Sequence, residues 1–286
     1  MPENQVFYPV CQGAKELTAD GHEIHLGLEL RIACEMSLFS LHYQPQFDLK
    51  TGTIVGAEAL LRCHHDPLAH VAINRLIQMA EHFGLIQSIG CWAFEESCRQ
   101  LRVWLDAGYE PICIAVNVSA LQLVSDLLKE NIPPILERYD IPAEMIEIEV
   151  TETQSIFGDP RCLETLEALR SLGFRLVIDD FGTGYSSLSY LKRLKVHKIK
   201  IDRSFVQHLP FSTDDRLIVS SVIGLGRSMG INVLAEGVET EEQATYLMNT
   251  GCGTVQGYLY GKPVDANTFE DLHMVPSQIS PVSIPV

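Results

Sequence analysis

The feature that most constrains this chain is a repeated alternation of two hydrophobic periods. Short β-branched runs occur at Leu41–Phe47, Ile54–Leu61, Ile112–Val118, Ile146–Val150, Leu176–Asp180, Lys198–Asp202, Val233–Gly237 and Val255–Leu259. Between and after them lie stretches of helical period at Val71–Phe83, Ser88–Ala107, Asp126–Tyr139, Pro160–Leu172, Ser187–Leu194, Asp214–Met229, Thr240–Thr250 and Asp265–His273. Strands that alternate with helices build parallel sheets from βα units. End signals support the helices: Asp159-Pro160 opens one, and Gly108, Gly173, Gly230 and Gly251 each follow one. No internal repeat, low-complexity block or central linker interrupts the series. Eight strands with helices between them predict an α/β fold, a single (β/α)8 TIM-like barrel; an open doubly wound sheet is the alternative. Only Asp48–Thr53 separates the first two strands, so one of them is expected to run antiparallel, as in a hairpin.

Length agrees with one such unit, since 286 residues hold a barrel of about 250 with some to spare. Residues 1–30 read as leader or linker, 31–275 as the domain, and 276–286 as a flexible tail rich in Pro and Ser. There are 37 acidic against 21 basic side chains, a formal net charge of −16, which disfavours nucleic-acid polymers and anionic membranes as partners. A phosphate-bearing ligand would need local help, such as metal ions. Cys11, Cys34, Cys63, Cys91, Cys98, Cys113, Cys162 and Cys252 form no Cys-x-x-Cys pair and read as small buried hydrophobes in a reducing compartment. The start has no signal-peptide pattern, and no apolar run reaches the ~18–20 residues of a membrane span. The expectation is a cytoplasmic protein.

Polar residues gather where the apolar runs stop. Taken by strand parity, Glu58, Asn117, Glu149, Asp179 with Asp180, Lys200, Glu236 and Gln256 stand at or near the carboxyl ends of seven strands, where a barrel collects its catalytic groups. One strand-end acid is more often a solvated or capping group; the same placement on seven strands asks for a common cause. Five carboxylates in one mouth repel one another unless cations lie among them. Carboxylates with an Asn carbonyl, and no thiolates or paired histidines, suit Mg2+ or Mn2+ rather than zinc. Two such ions about 3.5–4 Å apart are the usual apparatus for attack of water on a phosphodiester.

The order of motifs resembles the EAL domain family. The resemblance rests on Tyr43-Gln44-Pro45, Glu58-Ala59-Leu60-Leu61-Arg62, Asn117-Val118-Ser119, Glu149-Val150-Thr151-Glu152, the run Asp179-Asp180-Phe181-Gly182-Thr183-Gly184-Tyr185-Ser186-Ser187-Leu188, Lys200-Ile201-Asp202, Ala235-Glu236-Gly237 and Gln256-Gly257-Tyr258. It implies a bacterial phosphodiesterase that cleaves the second messenger cyclic di-GMP to linear pGpG. Carried over, it makes Glu58, Asn117, Glu149 and Asp179 ligands of one ion, with Asp179, Asp180 and Glu236 holding or bordering a second. It makes Lys200 the group that orients the attacking water, and Glu236 the general base. Gln44, Arg62 and Gln256 become substrate or water contacts, and Glu152 the anchor of the loop from Phe181 to Ser187. It also implies a homodimer. A catalytically silent cyclic di-GMP receptor is the alternative, though relatives of that kind usually lack metal ligands or the loop motif that are present here.

One stretch departs from the family pattern. Where members commonly carry Trp, His-Pro, a Gly and two prolines, this chain has Cys63, His65-Asp66, Ala69, Ile73 and Gln78, with the spacing to Ala80-Glu81 unchanged. An altered loop and helix start is expected there. His64, His65 and His70 lack the i, i+4 geometry of a metal site and read as surface histidines. Gly182-x-Gly184 lacks the third glycine of a dinucleotide fingerprint.

Overall fold

The computed structural model describes residues 21–152, 156, 158–183 and 188–274. Its strands close into one barrel in chain order. β1 (Phe39–Asp48) and β2 (Ile54–Cys63) form the expected hairpin, with Tyr43 opposite Ala59 and Gln44 opposite Glu58. The Asp48 carboxylate shapes the turn by accepting from the Lys50 and Thr51 amides at 2.9 and 2.8 Å. β3 (Cys113–Asn117), β4 (Ile146–Thr151), β5 (Arg175–Phe181), β6 (Lys198–Ile201), β7 (Asn232–Ala235) and β8 (Thr254–Val255) follow β2 in parallel. β1 is antiparallel to both its neighbours, β2 and β8.

Every helix read from the sequence is present within a few residues, including Ile86–Asp106, Pro160–Ser171 and Thr213–Met229. The cap signals act as their chemistry dictates. Asp159 accepts from the Arg161 amide ahead of Pro160, and Gly230 and Gly251 end their helices with φ of 68° and 92°. The outward side chains of the parallel strands, among them Ile114, Val116, Ile148, Ile178, Ile199 and Ile201, are buried beneath these helices. No helix among the described residues is long and apolar enough to cross a membrane.

Two local readings change. The stretch taken as leader carries a helix, α1 (Gly21–Glu35), whose Leu26, Leu30 and Ala33 share an apolar cluster with Leu68, Leu76, Met79 and Ile89. Its other face exposes Ile24, Leu28, Ile32 and Met36, so apolar residues on both sides blur the period. Residues 1–20 of that leader and 276–286 of the tail lie outside the described residues. The last strand is much shorter than the apolar run Val255–Leu259, because the chain leaves the ladder at Gln256 to lie against Val238. A Cβ at Gly257 would stand 2.1 Å from the Val238 carbonyl oxygen, so only glycine permits that approach.

Between β1 and the outer helices the closure is aromatic. Trp104 stacks on Phe269 at 5.2 Å between ring centroids and meets Tyr43 edge-on at 5.0 Å, all three fully or almost fully buried. Large aromatics contribute much of a core's burial energy, and truncating one leaves a cavity. Trp104→Ala is expected to destabilise the protein by about 3–5 kcal/mol, read as a lowered urea midpoint at unchanged slope.

Candidate active site

Lys200 sits at the centre of the barrel mouth with no exposed surface, since strand parity turns β6 residues 198 and 200 inward. Its ammonium lies 3.2 Å from Glu58, 2.9 Å from Glu149, 3.3 Å from Asp179 and 2.7 Å from Glu236. These acids come from β2, β4, β5 and the residue after β7, so closure of the sheet is what assembles them. Asn117 at the end of β3 donates to Glu58 Oε1 at 2.8 Å, and Gln256 donates to Glu58 Oε2 at 2.7 Å. Gln256 also donates to Gln44 Oε1 at 3.0 Å. All eight residues singled out at the strand ends, with Gln44, therefore meet in one place or, for Asp180, stand beside it.

Electrostatics sorts the acids. Burial opposes the Lys200 charge, but Glu149, Glu236, Glu58 and Asp179 together hold the ammonium well above its ordinary range. Burial likewise works against Glu58, yet Lys200 and the bonds from Gln256 and Asn117 prevail and its carboxyl is lowered. Glu149 is pushed well up by burial, with Glu58 and Asp179 adding to it. Glu236 rises to about 8, chiefly from burial, and Asp180 to about 6 from burial and the neighbouring Asp179 and Asp202. One ammonium cannot neutralise so many acids, and the surplus carboxylates add to what burial does in raising proton affinity here.

Divalent cations fit the same surplus. Glu149 Oε1 is buried and has no hydrogen-bond partner, which is costly for a carboxylate oxygen unless a cation meets it. Ligand atoms of Glu58, Glu149 and Asp179 lie within 4.8 Å of one another, as do those of Asp179, Asp180 and Glu236. Two clusters of oxygen donors sharing Asp179 match the ligand chemistry of hard cations. Asp180 takes φ of 54° and so leaves the strand direction of Asp179 for a separate bearing.

The remaining predicted residues stand around this centre. Glu152 lies outside the cluster and buried, where its carboxylate accepts from the Gly182 amide at 2.8 Å while its own amide donates to the Asp179 carbonyl at 3.1 Å. It thus ties the start of the loop to β5; residues 184–187 of that loop are outside the described residues. Arg62, half-buried at the end of β2, donates to the Leu61 carbonyl and is not part of the carboxylate ring. In the departing stretch, Asp66–Leu68 forms a short turn and Ile73–His82 a helix. That stretch is held to α1 by His65 on Glu29 at 2.6 Å and by an Arg75–Glu23 ion pair. Sequence reasoning passed over Gln46 and gave Glu147 no role though parity sets it on one face with Glu149; both are buried in the barrel below the mouth, and inward parity with Gln44 is the signal that marks Gln46.

A family model described as EAL domain matches residues 28–263. The chain belongs to the EAL domain family. MucR of Pseudomonas aeruginosa, named a bifunctional diguanylate cyclase/cyclic di-GMP phosphodiesterase, is 41% identical over 257 residues, which are 90% of this chain and 38% of MucR. The solved c-di-GMP complex of the PaMucR phosphodiesterase has a TM-score of 0.81 at 41% identity, covering 87% of this EAL chain and 99% of the other. The EAL enzyme Bd1971, with cAMP and cyclic-di-GMP bound, has a TM-score of 0.82 at 34% identity over 88% of this chain and 69% of that one. The chain spans less than two fifths of the length of the curated relatives it matches, 38% of MucR and 32% of YkoW of Bacillus subtilis among them.

The proton affinities fix the sign of a pH effect. Glu236 binds its proton more tightly folded than unfolded, so without divalent cations stability is expected to fall as pH rises from about 4.5 to about 8. Asp180 adds the same sign up to about 6, and Glu58, lowered, has the opposite sign and contributes fully above 4.5. Thermal midpoints measured in chelator across this window should decline, and added Mg2+ should flatten the decline by taking the place of the protons.

Proposed function

We propose that this EAL domain hydrolyses cyclic di-GMP to linear pGpG with two Mg2+ or Mn2+ ions as cofactors, by in-line attack of water on one phosphodiester. What carries the reading is the uninterrupted ring of Glu58, Asn117, Glu149, Asp179, Asp180 and Glu236 about a buried Lys200. Membership of the family and the ligands named for MucR and Bd1971 support the choice of substrate.

Glu58, Asn117, Glu149 and Asp179 would hold one ion, and Asp179, Asp180 and Glu236 the second. Bound there, divalent cations lower the pKa of a water and neutralise charge on the phosphate. Lys200 keeps the ring from flying apart and places a fixed positive charge beside the centre where phosphoryl oxygens gain negative charge. Glu236, with 17% of its side chain exposed at the mouth, stands where it would take the proton of the attacking water. Arg62 offers a planar fork to the second phosphate, one that a compact ammonium could not match. Gln44 and Gln256 line the floor as ligand or water contacts. Glu152 fixes the loop that follows Asp180.

Net charge is compatible with this substrate. Glu58, Glu149, Asp179, Asp180 and Glu236 are five of the 37 acids, and they are the ones that cations neutralise. The homodimer implied by family resemblance belongs to the same proposal, and a dimer mass in sedimentation velocity is its expected result.

Incubation with cyclic di-GMP and Mg2+ or Mn2+ is expected to yield pGpG, resolved by chromatography, and chelation to stop it. Glu58→Ala removes a cation ligand and should lower turnover by more than the roughly 100-fold seen for outer-sphere partners. Tight binding of the nucleotide without turnover in either metal would identify a receptor instead.

A further inference from the structure

Below the mouth, the barrel interior holds Gln46, Glu147, Lys198 and Gln256, exposed by only 1%, 2%, 7% and 4%. Branched apolar side chains ordinarily fill those layers. A buried ion pair is a poor stabiliser there, since apolar replacements are often neutral or better. The four side chains instead form one directed chain. Lys198 donates to Glu147 Oε2 at 2.5 Å and to Gln46 Oε1 at 3.1 Å. Gln46 Nε2 donates to Gln256 Oε1 at 3.1 Å, and Gln256 Nε2 donates to Glu58 Oε2 at 2.7 Å.

We infer that Lys198, acting through Gln46, sets the orientation of the Gln256 carboxamide and so decides which oxygen of Glu58 is left for a cation. The inference rests on the proposed reading in which Glu58 holds a divalent ion. An ammonium can only donate, so the Gln46 carbonyl must face Lys198 and its amide nitrogen must face Gln256. The Gln256 carbonyl is then committed to Gln46, and its nitrogen to Glu58 and to Gln44, whose own nitrogen faces the Gly261 carbonyl, so the Lys198 chain fixes the carbonyl end of a carboxamide that Gln44 holds at the other. Reversing either carboxamide sets like ends against each other in a buried place, where a hydrogen bond left unmade is costly.

The result is visible at Glu58. Its Oε2 accepts from both Gln256 and Lys200, at 2.7 and 3.2 Å. Its Oε1 meets Asn117 at the exposed rim, on the same carboxylate ring as the unpartnered Glu149 Oε1. The chain thus occupies Oε2 from below, while Oε1 accepts from Asn117 alone among the hydrogen bonds of the described residues. Gly56 supplies the room, because a Cβ there would stand 3.2 Å from Gln46 Oε1 and 3.1 Å from the Cys113 carbonyl oxygen.

Gln46→Glu tests the direction of the chain. At pH 8, with Lys198 keeping it ionised, the new carboxylate still accepts from Lys198 but has no proton for Gln256, whose carbonyl is left either against that carboxylate or, reversed, against Glu58 and Gln44, so that its bond to Glu58 is weakened in both arrangements. Mn2+ affinity of the metal-free full chain, measured by titration calorimetry, should fall about 10–100-fold, with the thermal midpoint near that of the unsubstituted protein. Gln46→Met loses the bonds at both ends; it should melt lower yet lose less affinity, because Gln256 still turns its nitrogen to Glu58 part of the time. A purely structural role makes affinity and melting fall in the same order, and that outcome overturns the inference. Lys198→Met/Glu147→Leu removes the ion pair together and decides the matter if Gln46→Glu does not fold. Its stability should be kept and its Mn2+ affinity reduced several-fold; unchanged affinity overturns the inference, as does absence of Mn2+ binding by the unsubstituted chain. Mn2+ binding without pGpG production by that chain defeats the phosphodiesterase reading alone and leaves the affinity ratios to judge this one.

Discussion

Lys200 carries its charge to a place without exposed surface, and it does so because Glu58, Glu149, Asp179 and Glu236 converge on it from four parts of the barrel. Neither partner of this arrangement is tolerable alone. An unpaired ammonium at that depth would lose its proton, and four carboxylates without it would repel. The closed sheet is therefore a condition of the site as much as its scaffold, since the acids reach one point only when β2, β4, β5 and β7 are held in register. The balance stays incomplete, because the ring has more acid than one lysine can answer. That residue of negative charge is what makes the mouth receptive to cations.

Much of this is legible in the chain because two periods report on different things. Period two within the strands tells inside from outside, and parity alone places Glu58, Glu149, Asp179 and Lys200 on one wall. The hairpin at Asp48–Thr53 announces the antiparallel strand by its length. α1 escapes notice because Ile24, Leu28, Ile32 and Met36 stand exposed opposite Leu26, Leu30 and Ala33, leaving no clear polar face. The overlong reading of β8 comes from treating Val255–Leu259 as one run, when the decisive fact is the contact of Gly257 with the Val238 backbone, remote in sequence. Parity also points Gln46, Glu147 and Lys198 inward, but it carries no information about which end of a carboxamide faces which neighbour. That depends on partners some 50 to 210 positions away.

The acidity of the chain takes on a different meaning once the site is known. A charge of −16 spread evenly would repel any phosphate. Concentrated in part at the mouth, it becomes a demand for divalent cations, and two of them together with Lys200 would bring the five acids to neutrality. Under the proposed reading a compact cyclic dinucleotide would meet that neutralised mouth, whereas a long polyanion would still meet the acidic remainder of the surface.

The inverted first strand has a topological consequence. In a barrel whose strands all run one way, a chain enters each strand at the end remote from the catalytic mouth. Here Phe39 at the start of β1 pairs with Cys63 at the far end of β2, so what precedes β1 arrives on the working side. α1 accordingly touches the segment that follows β2 after Cys63, through Glu29 with His65 and Glu23 with Arg75. Turning one strand over has moved the doorway of the domain beside the mouth where Lys200 meets its acids, and α1 stands at that rim.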